Sequence, residues 1–344
     1  MFYTILLMKN KKIWFDFTNV PHVNFLQPII NYFKNFDHIY SVRDFAETKL
    51  LFEATISKEY YLIGKHKGNN KLLKIYGSLS RIFTLYNKIP DFDLKISVGG
   101  DASNIVAKLK EKKSITFDDN EKAPNWRYSR FSDYAFWPSC IPSETLLKQG
   151  FKEHKLYRYN GFKEDLYVAD FSPDENFKQK LPFENYIVVR PENINANYVN
   201  DNISIVPPLL KHLDIEGYNI LFLPRYESDK NYANGIKNIY IPKAPLKGLD
   251  ICYNADAVLT GAGTFAREAV CLGVPAVSFY TGKELLTVDK EMINNRSLYF
   301  SREPLDIIKY IGSTSKNKPD YSRSVKVKNE VMNKLEEIIN DFGL

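Results

Sequence analysis

Cysteine is scarce in this chain. There are three, Cys140, Cys252 and Cys271, far apart and without a pairing pattern. That excludes a disulfide-stapled fold and suits a reducing cytoplasm. Long apolar runs are missing too. Met1 to Met8 is apolar, but eight residues cannot span a bilayer, and Lys9, Lys11 and Lys12 follow them rather than precede them. A signal peptide is therefore not expected, and Met8 is a plausible alternative start. There is no arginine-rich arm and no dense basic helix, which argues against nucleic acid as a partner. Low-complexity linkers and internal repeats are absent by inspection.

What is present fits a globular α/β protein. The 344 residues suffice for two domains, with 44% hydrophobic and 26% charged residues. The net charge of +6 is a mild excess. Solubility explains it, and attraction to an anionic substrate or to lipid head groups at the inner face of a membrane would use it. Short apolar strands alternate with helical stretches from end to end, so the sheets should be parallel.

The most informative stretch is Asp256 to Tyr280. Ala257 to Leu259 reads as a buried strand, Gly261 and Gly263 as a tight turn, and Thr264 to Leu272 as a helix stopped by Gly273 and Pro275. Val274 to Phe279 reads as the next strand. A helix starting there leaves backbone N–H groups free to meet an anion such as a phosphate. Glu268 lies one turn after Thr264 and can accept two hydrogen bonds from a sugar diol. A structural turn with glycines for close packing fits the same spacing.

Other strand ends carry chemistry-bearing residues. Ile13 to Phe17 should be the first strand, followed by the turn Thr18-Asn19-Val20-Pro21-His22 and a helix from Val23 to Phe36. His22 titrates near neutrality when unperturbed and is the first choice for a general base. Tyr60 to Ile63 leads into a basic loop with Lys65 and His66, suited to an anionic acceptor. Pro90-Asp-Phe-Asp93 precedes the strand Leu94 to Val98, on the amino edge, so no metal is expected there. Gly99-Gly100-Asp101 follows that strand. Ser114 to Phe117 ends in Asp118, Asp119 and Glu121, where like charges should raise at least one pKa. Phe151 to Phe171 shows no clean periodicity and reads as the passage between domains. In the second half, Tyr186 to Val189 ends in Arg190-Pro-Glu192-Asn, and Asn219 to Leu223 in Pro-Arg225. Either arginine suits a phosphate as a planar fork, or a local ion pair. The segment from Asp320 to Ile339 reads as a helix with an apolar stripe at Val325, Val327, Val331, Leu335 and Ile338.

Gly261-Ala-Gly-Thr-Phe-Ala-Arg-Glu268 with Leu272-Gly-Val-Pro275 resembles the nucleotide-sugar motif of GT-B enzymes. These include MurG-type glycosyltransferases and the non-hydrolysing UDP-N-acetylglucosamine 2-epimerases. Over nearly its whole length, in Phe15-Asp-Phe-Thr-Asn-Val-Pro-His22, Ile63-Gly-Lys-His66, Val189-Arg-Pro-Glu192 and the motif itself, the chain is more closely similar to domain of unknown function 354. The resemblance implies two Rossmann-like doubly wound domains facing a cleft. Residues 1–165 would be the acceptor and catalytic domain, 166–319 the nucleotide-sugar domain, and 320–344 a last helix able to cross back. It implies a diphosphate at Gly261, Gly263 and Thr264 and a ribose at Glu268. Arg190, Glu192, Arg225 and Asp289 would complete the donor side, and Asn19, Lys65, His66 and Asp101 the acceptor side. His22, Asp118, Asp119 and Glu121 would carry the catalysis.

The expected activity is transfer of a sugar from a nucleotide-diphosphate sugar to a glycan or lipid-linked acceptor, without metal or cofactor. A 2-epimerase is the runner-up, with Asp118, Asp119 and Glu121 shuttling protons. Val189 stands where the epimerases' His-Arg-x-Glu-Asn motif has its histidine, which counts against it. A non-catalytic nucleotide-sugar binder is the third reading.

Overall fold

In a computed structural model the described residues are 11–45, 47–65, 71–194, 203–244 and 246–344. His66 lies outside them. The chain forms two compact units, Met1–Tyr167 with Val325–Leu344, and Val168–Ser324.

The first unit is built on strands β1 (Lys12–Phe17), β2 (Asp37–Asp44), β3 (Tyr61–Lys65), β4 (Leu94–Val98), β5 (Lys113–Phe117), β6 (Tyr134–Pro138) and β7 (Leu156–Tyr159). They lie in the order β3-β2-β1-β4-β5-β6-β7, every pair parallel. The second unit has β8 (Ile187–Arg190), β9 (Ile220–Phe222), β10 (Ile239–Tyr240), β11 (Ala257–Thr260), β12 (Ala276–Ser278) and β13 (Tyr299–Phe300). Their order is β10-β9-β8-β11-β12-β13, again all parallel. Both sheets reverse direction of growth beside their first strand, between β1 and β4 and between β8 and β11. At such a switch point the loops leaving two neighbouring strands diverge and open a crevice.

The central strands are apolar because helices cover both faces. In the second unit Val189, Leu259, Val277 and Phe222 pack with Leu209 and Leu213 of the helix Val206–Ile215 and Ile307 of the helix Pro304–Ser313. In the first unit Trp14 packs on Phe92 and Leu85. The last helix, Ser322–Asp341, belongs from Val325 onward to the first unit, where Tyr32 donates to Glu336 and Tyr157 to Glu330, both at 2.9 Å. Val327 closes on Gly161, where an added Cβ would meet its methyl at 2.4 Å. Of the expected stripe, Val325 is exposed and the other four residues are buried.

Three local expectations change. The stretch 151–171 is not a plain passage: Leu156–Tyr159 is a strand, because its backbone pairs with the exposed side of β6. His22 is not in a loop but in the first turn of the helix Val20–Tyr32, which Pro21 starts early with its fixed φ. Gly64 and Lys65 end β3 rather than opening a loop.

Candidate functional site

At the first switch point, β1 delivers Asn19 and His22. Asn19 is the extended residue before the helix, and its carbonyl accepts from the His22 N–H at 3.1 Å. His22 is buried, and its Nδ1 faces the backbone N–H of Thr18 at 3.4 Å and the Thr18 hydroxyl at 3.2 Å. An N–H can only donate, so Nδ1 accepts and the neutral ring carries its hydrogen on Nε2. Burial first, then the charge of Lys163, pushes the imidazole down to about 3, against weaker opposite effects of Asp16 and Asp119. The ring is therefore neutral near pH 7.

From β4 comes the turn Gly99-Gly100, both with positive φ (57° and 97°), which only glycine adopts without strain. Asn104 holds this turn by donating to the Gly100 carbonyl at 3.0 Å, and the fully buried Lys95 donates to the Asn104 oxygen at 2.9 Å. Burial lowers Lys95 to about 7. Asp101 opens the next helix, 3.7 Å from Arg127; burial raises its carboxyl despite that guanidinium.

From β5 comes the acidic trio. Asp118 is partly exposed, accepts from the Tyr128 hydroxyl at 2.7 Å, and accepts from the N–H groups of Asp119 and Asn120 at 2.8 and 3.0 Å. Desolvation, then the neighbouring charge of Asp119, raises Asp118 to about 6. Asp119 is buried and bonded to Lys163 at 2.8 Å. Glu121 is buried, and Gln149 donates to its backbone carbonyl at 2.6 Å, fixing the loop.

Lys163 was not visible as a site residue in the sequence, and neither was the pair Asp16–Arg81. Asp16 is fully buried in β1 and accepts from Arg81 and from Ser41, both at 2.6 Å. Burial raises its pKa, but Arg81 and the hydrogen bonds outweigh that and hold the carboxyl below its usual range. A charged residue inside the apolar run Ile13–Phe17 was the available signal. Lys65 stands apart from this cluster, exposed and 3.9 Å from Asp44.

At the second switch point the helix Gly263–Cys271 starts without a side-chain cap. Arg190, at the end of β8, lies with its guanidinium 5.7 Å from the centre of the Phe265 ring, the third residue of that helix. Arg225, at the end of β9, has a buried Nε with no hydrogen-bond partner among the described residues. Tyr226 beside it donates to Asn193 at 2.8 Å. These cations and the helix start share one sheet edge.

The glycines here have a packing duty as well. A Cβ on Gly261 would sit 2.4 Å from the Cα of Glu192, so the turn passes directly over that backbone. On Gly263 it would meet the Arg267 guanidinium at 3.0 Å. Arg267 is buried, pairs with Asp289 at 2.8 Å and donates to the Thr264 hydroxyl at 3.3 Å. Asp289, on the helix Thr287–Asn294, is thereby engaged within the unit. Glu192 is engaged too: it accepts from Ser204 at 2.8 Å and from the Ile205 N–H at 3.1 Å, with Arg302 at 3.5 Å. Glu268 is buried, with a carboxylate oxygen 3.9 Å from where a Cβ of Gly248 would be. Among the described residues no group of His, Cys, Asp and Glu is arranged to hold a metal ion.

Two parallel doubly wound units of this kind are the architecture of the GT-B fold. Residues 11–341 match the profile of the family of proteins of unknown function DUF354, and the chain belongs to that family. It is 28% identical over 323 residues to the uncharacterized protein MJ0665 of Methanocaldococcus jannaschii, covering 88% of this chain and 92% of that one. Among solved structures it is similar to the UDP-GlcNAc 2-epimerase of the same organism in complex with UDP-GlcNAc and UDP: TM-score 0.68, 18% identity, 94% of this chain and 99% of that one. The UDP-N-acetylglucosamine 2-epimerase from Rickettsia bellii gives TM-score 0.70 at 15% identity, covering 96% of each chain. Arabidopsis thaliana UGT89C1 complexed with UDP gives 0.60 at 12%, covering 98% of this chain and all (100%) of that one. At these identities the likeness establishes the fold.

Proposed function

We propose that this protein is a GT-B glycosyltransferase that moves a sugar from a nucleotide-diphosphate sugar to a glycan or lipid-linked acceptor. The reading is carried by the uncapped start of the helix Gly263–Cys271 with Arg190 beside it. Aligned N–H groups and a guanidinium on one sheet edge suit a diphosphate, and they would take up the charge that develops on the leaving group. Glu268 would hold the ribose. That solved neighbours were captured with UDP or UDP-GlcNAc supports the choice of ligand.

In the reaction the acceptor hydroxyl oxygen attacks the anomeric carbon, the carbon–oxygen bond to the diphosphate breaks, and the hydroxyl proton goes to a base. Asp118 suits that step best. With its carboxyl raised to about 6 it is mostly ionised at pH 7, yet holds a proton more strongly than an ordinary aspartate. His22, neutral with its hydrogen on Nε2, suits a donor that orients the acceptor or a developing oxyanion. Its expected duty as the base thus passes to Asp118 in this proposal. Lys163 fixes Asp119 beside it.

The acidic pair Asp118–Asp119 also keeps a 2-epimerase reading open. Against it, Val189 lies in the apolar core of the second unit. Incubation with UDP-N-acetylglucosamine alone separates the two, since epimerisation needs no acceptor: a second UDP-sugar species identifies an epimerase. For transfer, Asp118→Asn should lower turnover by about 100-fold or more with nucleotide affinity unchanged, the size expected for a lost acid–base group. Unchanged turnover removes Asp118 from the chemistry. Loss of any UDP-induced rise in melting temperature in the native protein would remove the nucleotide-sugar assignment.

A further inference from the structure

The helix Lys71–Lys88 carries a feature that nucleotide chemistry does not use. Its buried side, with Arg81 and Leu85, packs inward. On the other side Ile75, Tyr76, Leu79, Phe83 and Tyr86 are between 44% and 72% exposed. The spacings of 4, 4 and 3 from Ile75 to Tyr86 place them on one face. The face is about 16 Å long at 1.5 Å per residue. Single exposed apolar side chains are ordinary; five in one stripe mark an interaction surface.

Charge identifies what the stripe meets. From Tyr60 to Pro90 the sequence holds no aspartate or glutamate and five lysines, Lys65, Lys67, Lys71, Lys74 and Lys88. Lys110, from the neighbouring helix, lies 5.5 Å from the Tyr86 ring centre. Of the acidic groups nearby, Asp44 lies 3.9 Å from Lys65, and Asp91, just beyond the helix in sequence, is paired with Lys112 at 2.9 Å. Among the described residues no helix is long and apolar enough to cross a membrane. An exposed apolar helix face within a lysine-rich, acid-free stretch of sequence suits the plane of an anionic bilayer, with aromatic and aliphatic side chains below the head groups and cations among the phosphates.

We propose that the exposed face of Lys71–Lys88 docks the protein on an anionic lipid surface. A second copy of the chain would have to bring acidic groups to this lysine-rich stretch, and its own copy of the stretch has none. The docking stands independently of the sugar chemistry, although it would suit a lipid-linked acceptor.

The test sediments the whole chain with phosphatidylcholine vesicles containing phosphatidylglycerol, and with phosphatidylcholine alone. The anionic vesicles should carry at least tenfold more protein at low salt, and the excess should shrink as salt screens it. A Leu79→Ser, Phe83→Ser variant should lose at least tenfold of that partition. Because both side chains are exposed, its melting temperature should match the native protein. Equal sedimentation of variant and native protein overturns the proposal, as does no sedimentation of either. A native dimer in light scattering that the variant lacks also overturns it, assigning the face to self-association. The UDP-induced melting shift, read on the same samples, reports on the nucleotide assignment alone.

Discussion

His22 shows how a side chain's surroundings reset its chemistry. An exposed imidazole would share its proton near pH 6.5; this one is held down to about 3 by burial and by Lys163. The folded protein therefore binds no proton on His22 between those values, while the unfolded chain does. Stability should fall as pH drops through that window, and from pH 6.5 to 4.5 the loss from this one group is about 2–3 kcal/mol. Denaturant unfolding at both pH values should show it, and His22→Gln should lose less by that amount. Asp118 works with the opposite sign. Its pKa is raised to about 6, so the folded state takes up a proton before the unfolded chain does, and its contribution to stability grows as pH falls from 6 toward 4. That a carboxylate would be raised in the acidic trio was legible from three acids at one strand end. Which of them was not: Asp119 lies one residue away and is answered by Lys163, distant in sequence.

Among the turns and strands, the glycine motif was the most legible element, although its spacing fitted two duties. The strand–turn–helix was expected at 257–272 and runs from Ala257 to Cys271. The glycines were expected either to let the backbone approach a ligand or to allow close packing; in the structure Gly261 packs directly against the backbone of Glu192. Gly261→Ala should therefore cost about 1–3 kcal/mol or more by overpacking, since backbone cannot swing away. Gly217, with positive φ and nothing within 4 Å of an added Cβ, is the comparison: Gly217→Ala should cost about 1 kcal/mol, from backbone strain alone. Melting curves of both variants decide it; equal losses would mean the turn at Gly261 relaxes freely. The strand β7 escaped notice because Leu156–Tyr159 lacks alternation and owes its conformation to pairing with β6 rather than to local preference.

For the molecule as a whole, the end of the chain completes its beginning. From Val325 the last helix is part of the first unit, and Val327, Val331, Leu335, Ile338 and Ile339 are buried there. At about 1.5–3 kcal/mol per buried side chain, their loss is comparable with the entire stability of an ordinary domain. A chain ending at residue 320 should fail to fold its first unit, seen as fast hydrogen exchange in β1 and β6. Slow exchange there would show the helix to be dispensable. The alternation of strand and helix, the parallel sheets and the glycine turns follow from local patterns of apolarity and φ preference, which act over a few residues and can be read in order. The ion pairs could not be read that way. Asp16 meets Arg81 across 65 residues, Asp119 meets Lys163 across 44, and Arg267 meets Asp289 across 22. Partners so far apart are chosen by strand order and by the direction each helix returns. Those depend on the packing of the whole unit, so only the folded chain decides which charges are neutralised and which remain for chemistry.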